Sequence, residues 1–214
     1  MSAGKIFELI ESGDTEGLRG LLEQEPEAIE QKSPQGVSAV LFACYQMKWE
    51  LIPLLREAAR GMDLFEAAAV GDLERLRALL QSQPEAVRGW TEDGFSALHL
   101  AAFFRQPNAV GLLIEAGADI DAEARNGSGL RPINSAAAST VVDSVRILLE
   151  AGADPDVQQA GGYTALHSAA HNDNLEMAQA LIDAGADTTL RTDEGRKAAE
   201  MAPESSAIGQ LLPR

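Results

Sequence analysis

Three phrases recur along the chain: GFSALHLAA from Gly94, GLRPINSAA from Gly129 and GYTALHSAA from Gly162. Repetition at a fixed period constrains a fold more than any local propensity, because each copy is one structural unit that stacks on the next. Weaker copies read GVSAVLFAC from Gly36 and GRKAAEMA from Gly195. A second phrase follows each strong copy: LLIEAGADI ending at Ile120, LLEAGADPDV ending at Val157 and LIDAGADTT ending at Thr189. Aligned on the slot after Gly-x, the copies fall at Ser38, Ser96, Arg131, Thr164 and Lys197, with glycine-free pairs fitting at Gly4 and Met62; the spacings are 34, 24, 34, 35, 33 and 33. The first half also reads as a 58-residue duplication, in which Phe7, Glu8, Gly13, Asp14, Pro26 and Gly36 return as Phe65, Glu66, Gly71, Asp72, Pro84 and Gly94.

Each copy has a physical reading. A glycine supplies the positive φ of a tight turn, and Ser or Thr then caps a short alanine-rich helix. The pairs Ala101–Ala102, Ala136–Ala137 and Ala169–Ala170 let neighbouring helices approach closely. A second helix follows with leucines at helical spacing, ended by Gly117, Gly152 or Gly185 as left-handed caps. The next residues are short and extended, as in a projecting finger. One unit cannot bury its own apolar face; stacked units share a core.

With Ser96-Ala97-Leu98-His99, Arg131-Pro132-Ile133-Asn134, Thr164-Ala165-Leu166-His167 and the three Gly-Ala-Asp phrases, the sequence resembles the ankyrin-repeat family, closely over 91–195 and more loosely over 4–90. The resemblance implies an all-α solenoid of about seven stacked helix pairs with short β-hairpin or turn fingers, and a concave face that binds another protein. It is similar to the small soluble bacterial-type members. With no long linker or appended domain, residues 1–214 read as one domain, with pairs near 4–37, 38–61, 62–95, 96–130, 131–163, 164–196 and 197–214. The 24-residue spacing leaves no room for a finger, which predicts a tight link at Arg60-Gly61-Met62 and irregular curvature over 56–64. Two extra residues predict a bulge over Asp121–Gly129, and Pro53 is expected to bend a second helix.

Composition excludes several chemistries. The 214 residues carry 17 Lys+Arg against 33 Asp+Glu, a formal charge of −16, which disfavours nucleic acid as a ligand because phosphates need a basic face. No apolar run approaches the ~20 residues of a membrane span, and the N-terminus lacks a secretion core, so the cytoplasm is the expected compartment. The one cysteine, Cys44, excludes an intrachain disulfide and is expected to be buried and inert. His99 and His167 occupy the family signature and should tie turn backbone together. His167, His171 and Asp173 have the spacing of a metal grip, but nothing near them completes one. Gly127-Ser128-Gly129 lacks the rest of a nucleotide loop, and Asp119/Asp121 and Asp154/Asp156 read as turn caps rather than calcium ligands. No cofactor, metal or catalytic constellation is expected, and the chain reads as a non-enzyme.

What remains is a binding surface. The family's exposed positions, carried over one by one, are Trp90, Glu92, Phe95, Phe103 and Phe104 in the fourth unit, Arg125 and Leu130 in the fifth, and Tyr163, His171 and Asn172 in the sixth; Val37 and Tyr45 fall in matching slots of the second. Aromatic and arginine side chains dominate interface energetics, and aromatics make up only 5 % of the chain. Phe103, Phe104 and Trp90 are alternatively inter-unit packing, Tyr163 reads as exposed, and Trp49 reads as core. The expected function is that of a monomeric, scaffold-like protein-binding module. The alternative is an acidic inhibitor or immunity-type protein that masks a basic enzyme surface.

Overall fold

The computed structural model describes residues 4–59, 61–203 and 206–212, with only the backbone of Gln210. Six pairs of antiparallel helices follow one another along the chain: α1 (Lys5–Ser12) with α2 (Thr15–Gln24), α3 (Ala39–Tyr45) with α4 (Ile52–Ala58), α5 (Leu64–Val70) with α6 (Leu73–Ser82), α7 (Ala97–Phe103) with α8 (Pro107–Glu115), α9 (Pro132–Ala138) with α10 (Val142–Glu150), and α11 (Ala165–His171) with α12 (Leu175–Asp183). A 3-10 turn at Ala198–Glu200 and the short α13 (Ile208–Leu211) close the stack. The first helices α5, α7, α9 and α11 pack in sequence, and α6, α8, α10 and α12 form a second layer behind them. Among the described residues no helix is long and apolar enough to cross a membrane.

Local chemistry sets these boundaries. Ser38, Ser96 and Thr164 accept hydrogen bonds from the amides of Leu41, His99 and His167, as N-caps must. The third pair starts one residue beyond the expected Met62, at Asp63, whose carboxylate accepts from the Glu66 amide while the Glu66 carboxylate accepts from the Asp63 amide. The duplication persists in three dimensions: α2 and α6 are each followed by a proline-led 3-10 turn, Pro26–Glu30 and Pro84–Arg88. Pro53 does not bend a helix. A 3-10 turn over Trp49–Leu51 precedes α4, so Pro53 stands in the first turn of the helix, where its missing N–H costs no bond.

Fingers connect most pairs. Four are tight turns closed by the amides of Ser33, Thr91, Gln159 and Thr192 donating to the carbonyls of Val37, Phe95, Tyr163 and Arg196. In the fifth the Ala124 amide reaches Leu130, two residues further, and the expected bulge lies between them. Isolated bridges, Lys32 with Ser38 and Arg191 with Lys197, mark the finger bases. Neighbouring fingers are joined by one backbone bond each: Arg125 to the Gly94 carbonyl at 2.8 Å, Ala160 to Ser128 at 2.8 Å and Asp193 to Gly161 at 2.9 Å. This contact explains a geometry shared by two turns. Gly94 (φ +87°) and Gly162 (φ +75°) lie so close to the next finger that a Cβ would sit 2.9 Å from the Asn126 amide and 2.8 Å from the Asp193 amide.

No finger separates α4 from α5. Five residues connect them, and Arg60 of the expected link lies outside the described residues. The finger at 31–37 therefore faces the one at 89–95 directly. No backbone hydrogen bond joins these two among the described residues; they meet through a Lys32–Glu92 ion pair, and Tyr45, at the end of α3, donates its hydroxyl to Asp93 at 2.8 Å.

The core is a chain of small residues on the first helices and leucines on the second, and its buried polar side chains are hydrogen-bonded among the described residues with one exception. Ser144 on α10 is fully buried and its hydroxyl finds no partner among the described residues. Ala109 and Met177 hold the corresponding place on α8 and α12. Ser144→Ala removes an unsatisfied hydroxyl without leaving a void, so it should stabilise the fold by about 1–2 kcal/mol. An increased urea midpoint at unchanged denaturant slope is the expected reading.

Candidate binding groove

The imidazoles of the signature set the relation between helix and finger. His99 Nδ1 lies 2.7 Å from Ser96 Oγ and accepts from the Ser96 amide, while Nε2 lies 3.1 Å from the Leu130 carbonyl of the next finger. His167 repeats this with Thr164 and the Arg196 carbonyl, again at 3.1 Å. A carbonyl only accepts, so Nε2 carries the proton and the ring is neutral. Asn134 does the same work with an amide: its Oδ1 accepts from Arg131 and its Nδ2 donates to the Val157 carbonyl. Burial holds both histidines below their ordinary pKa, partly opposed by the hydrogen bonds to the Leu130 and Arg196 carbonyls. With both nitrogens of His167 occupied and His171 exposed at the end of α11, the two do not converge on a metal; among the described residues no group of three ligating side chains does.

Between the fingers and the first helices lies a groove of about 340 Å³, lined by Tyr45, Phe95, His99, Leu100, Phe103, Leu130, Ser135, Ala138 and Gln159. Phe95 and Leu130 come from fingers, and Phe103 ends α7. The depth has a simple origin. Ser135 and Ala138 stand one repeat after Leu100 and Phe103, so the large side chains of α7 form a wall and the small ones of α9 leave a floor. Of the ten candidates, the groove collects Phe95, Phe103 and Leu130. A second hollow of about 390 Å³ collects Trp90 and Arg125, whose guanidinium sits 4.4 Å from the indole centroid.

The remaining candidates lie elsewhere. Glu92 is exposed and paired with Lys32. Tyr163 is half-buried rather than fully exposed: its ring meets His167 edge-on at 6.0 Å, and Arg196 donates to its hydroxyl. His171 and Asn172 are exposed, with Asn172 donating to the Ser168 carbonyl at the end of α11. Phe104 is a correction. It is 2 % exposed and packs with Val37, Leu41, Cys44, Ala69 and Leu100, so it is core and not surface. Val37 is buried in the same cluster, against the expectation of an exposed slot.

Trp49 corrects in the other direction. It is 39 % exposed, because α4 begins only after a 3-10 turn and the indole leans edge-on against Phe104 at 5.8 Å instead of entering the core. Phe103 (36 % exposed), Trp49 and Tyr45 thus surround Phe104 as an aromatic cluster. Burial pushes the Tyr45 hydroxyl pKa up, reinforced by its bond to Asp93, so the phenol stays protonated. Cys44 is buried, its thiol pushed up to about 12 chiefly by burial.

A family model described as ankyrin repeats (many copies) matches residues 133–182, and one for a single ankyrin repeat matches 93–125. Over 103 residues the chain is 30 % identical to BCL-6 corepressor-like protein 1 of Homo sapiens, covering 48 % of this chain and 6 % of that protein.

Two outcomes follow from this geometry. Phe104→Ala should cost about 3–5 kcal/mol by opening a cavity, whereas Phe103→Ala should cost under about 1 kcal/mol, both read from chemical denaturation. The histidines impose a pH dependence. Their native pKa values lie below the unfolded value of about 6.5, so the unfolded chain takes up protons first. Their contribution is complete above that pH and is lost as pH falls through it towards the native values. Burial raises the Glu66 pKa, which acts with the opposite sign, so the test compares variant with parent at each pH. A His99→Asn/His167→Asn double variant, built on the Asn134 solution, should lose less stability between pH 7 and 5 than the parent.

Proposed function

Since the chain belongs to the ankyrin-repeat family, whose repeats serve in general as protein–protein interaction modules, we propose that it is a non-enzymatic binding protein that engages a partner protein along the face made by its fingers and first helices. We read residues 1–214 as one such domain of about seven helix pairs, acting as a cytoplasmic monomer. The observation that carries this reading is the 340 Å³ groove: Tyr45, Phe95, Phe103 and Leu130 present apolar surface over the small floor of Ser135 and Ala138. Aromatic walls around a small-residue floor suit a buried anchor side chain, the part of an interface in which binding energy concentrates. The reading extends to a second contact point at Trp90 and Arg125, and to the separate positions Glu92, Tyr163, His171 and Asn172. A pre-formed groove on stacked helices loses little entropy when it is filled.

The charge of −16 favours a second reading, in which the same surface masks a basic partner. Association would then slow steeply as salt rises, because exposed charges steer encounter more than they hold the complex.

Immobilised protein of residues 1–214, incubated with lysate from its source, tests the first reading. A Phe95→Ala/Phe103→Ala variant should lose the retained partner, while Leu175→Ser, altering an exposed leucine on the second-helix layer, should keep it. The Trp90→Ala and Tyr163→Ala variants should weaken retention partially. Full retention by the double phenylalanine variant, with an unchanged thermal melt, would refute the reading.

A further inference from the structure

The apolar core is not continuous. Residues from Ile6 to Met62 bury one another in a first cluster, and from Leu64 a second cluster runs on to Leu212. The two are bridged by a small third group, Val37, Leu41, Cys44, Ala69, Leu100 and Phe104. This boundary coincides with the joint that lacks a finger. The three following finger contacts each carry a backbone hydrogen bond; here the contacts are made by side chains, namely Lys32–Glu92, Tyr45–Asp93, Arg56–Asp72 and Arg75 Nε donating to the Met62 carbonyl. The exposed Lys32–Glu92 pair contributes little. That leaves the part-buried Tyr45–Asp93 bond as the polar tie at the finger end of the joint, with Arg56 on the buried Asp72, Ser38 on the buried Glu66 and Arg75 on Met62 behind it.

We propose that the joint between the second and third helix pairs is a hinge, at which residues 4–59 and 61–62 separate as one cooperative unit from residues 64–212, with the Tyr45–Asp93 hydrogen bond as its latch. Stacked repeats are stabilised by nearest-neighbour interfaces, so the array opens first where one interface is poorest. Tyr45 is the one wall of the groove supplied by the N-terminal unit; Phe95, Phe103 and Leu130 all belong to the C-terminal one. Opening the hinge therefore removes the groove's end wall and extends it towards Phe104 and Ala69.

The chain carries its own probes. Cys44, the single cysteine, is buried inside the bridging group, and the two tryptophans lie on opposite sides of the hinge, Trp49 before it and Trp90 after it. Labelling of the full chain with N-ethylmaleimide in sub-denaturing urea reads opening of the joint, while Trp90 fluorescence in a Trp49→Phe background reads unfolding of the C-terminal unit. Cys44 should react at least about tenfold faster than global unfolding allows. Tyr45→Phe and Asp93→Ala, which remove the donor and the acceptor of the latch, should each accelerate labelling by about tenfold and leave the Trp90 transition in place. Labelling that tracks the global transition, or that neither substitution accelerates, would overturn the hinge. The measurement needs no partner, so its outcome is independent of whether the groove binds one.

Discussion

A pair of seven- to ten-residue helices has too little apolar surface to hold itself together, and every other feature of this molecule depends on how closely one pair approaches the next. That approach is set by alanine. Ala101, Ala102, Ala136, Ala137, Ala169 and Ala170 are all fully buried between first helices, where a larger side chain would push the layers apart. Close approach in turn brings each finger within backbone reach of its neighbour, and the glycines at 94 and 162 are the consequence. Hydrophobic contact thus fixes the spacing, and the hydrogen bonds record it.

Once the spacing is fixed, a single position in each unit ties the stack across it. The third residue after the N-cap is His99, Asn134 and His167 in three successive units, each joining its own cap to the finger ahead. Glu66 holds the place in the third unit, where it closes its own capping box with Asp63 and accepts from Ser38 of the unit behind; Glu200 likewise closes a box with Lys197 at the C-terminal end. A carboxylate cannot donate to a carbonyl, so Glu66 in its charged form has no such bond to offer the following finger. The paired aspartates add a second tie of the same direction: Asp121 accepts from the Asp154 amide and Asp156 from the Asp187 amide.

Most of this was legible in the sequence because repetition turns one local inference into several. The caps at Ser96 and Thr164, the bulge over Asp121–Gly129 and the missing finger after Ser38 all follow from spacing and turn chemistry. The aspartate pairs were legible only as turn caps; their reach into the next unit requires the stack. Phe103 and Phe104 show where such reading stops. Adjacent at a short helix end, they point about 100° apart around the axis, and which of the two enters the core depends on Leu41, Cys44 and Ala69 from other units. Trp49 failed for a related reason, since a 3-10 turn before α4 rotates it away from the apolar stripe a continuous helix would have given. Ser135 and Ala138 were passed over because small residues look like packing; the signal was the drop in size from Leu100 and Phe103 one unit earlier.

The missing finger and the groove are one feature. Removing a finger lets the turn at 31–37 close on the turn at 89–95, and Tyr45 then lies beside Asp93 two units along. That same closure brings Tyr45 and Trp49 onto Phe104 and sets Tyr45 across the end of the groove that α7 and α9 form. In a regular array the intervening finger would fill this space and the aromatic cluster would have no reason to exist. A local deletion in an otherwise periodic chain thus produces a place where, among the described residues, periodicity fails on three counts at once: the core divides, no backbone bond ties the fingers, and apolar side chains reach the surface. Where an array is otherwise uniform, such a break is where a distinct property can arise without weakening the units on either side.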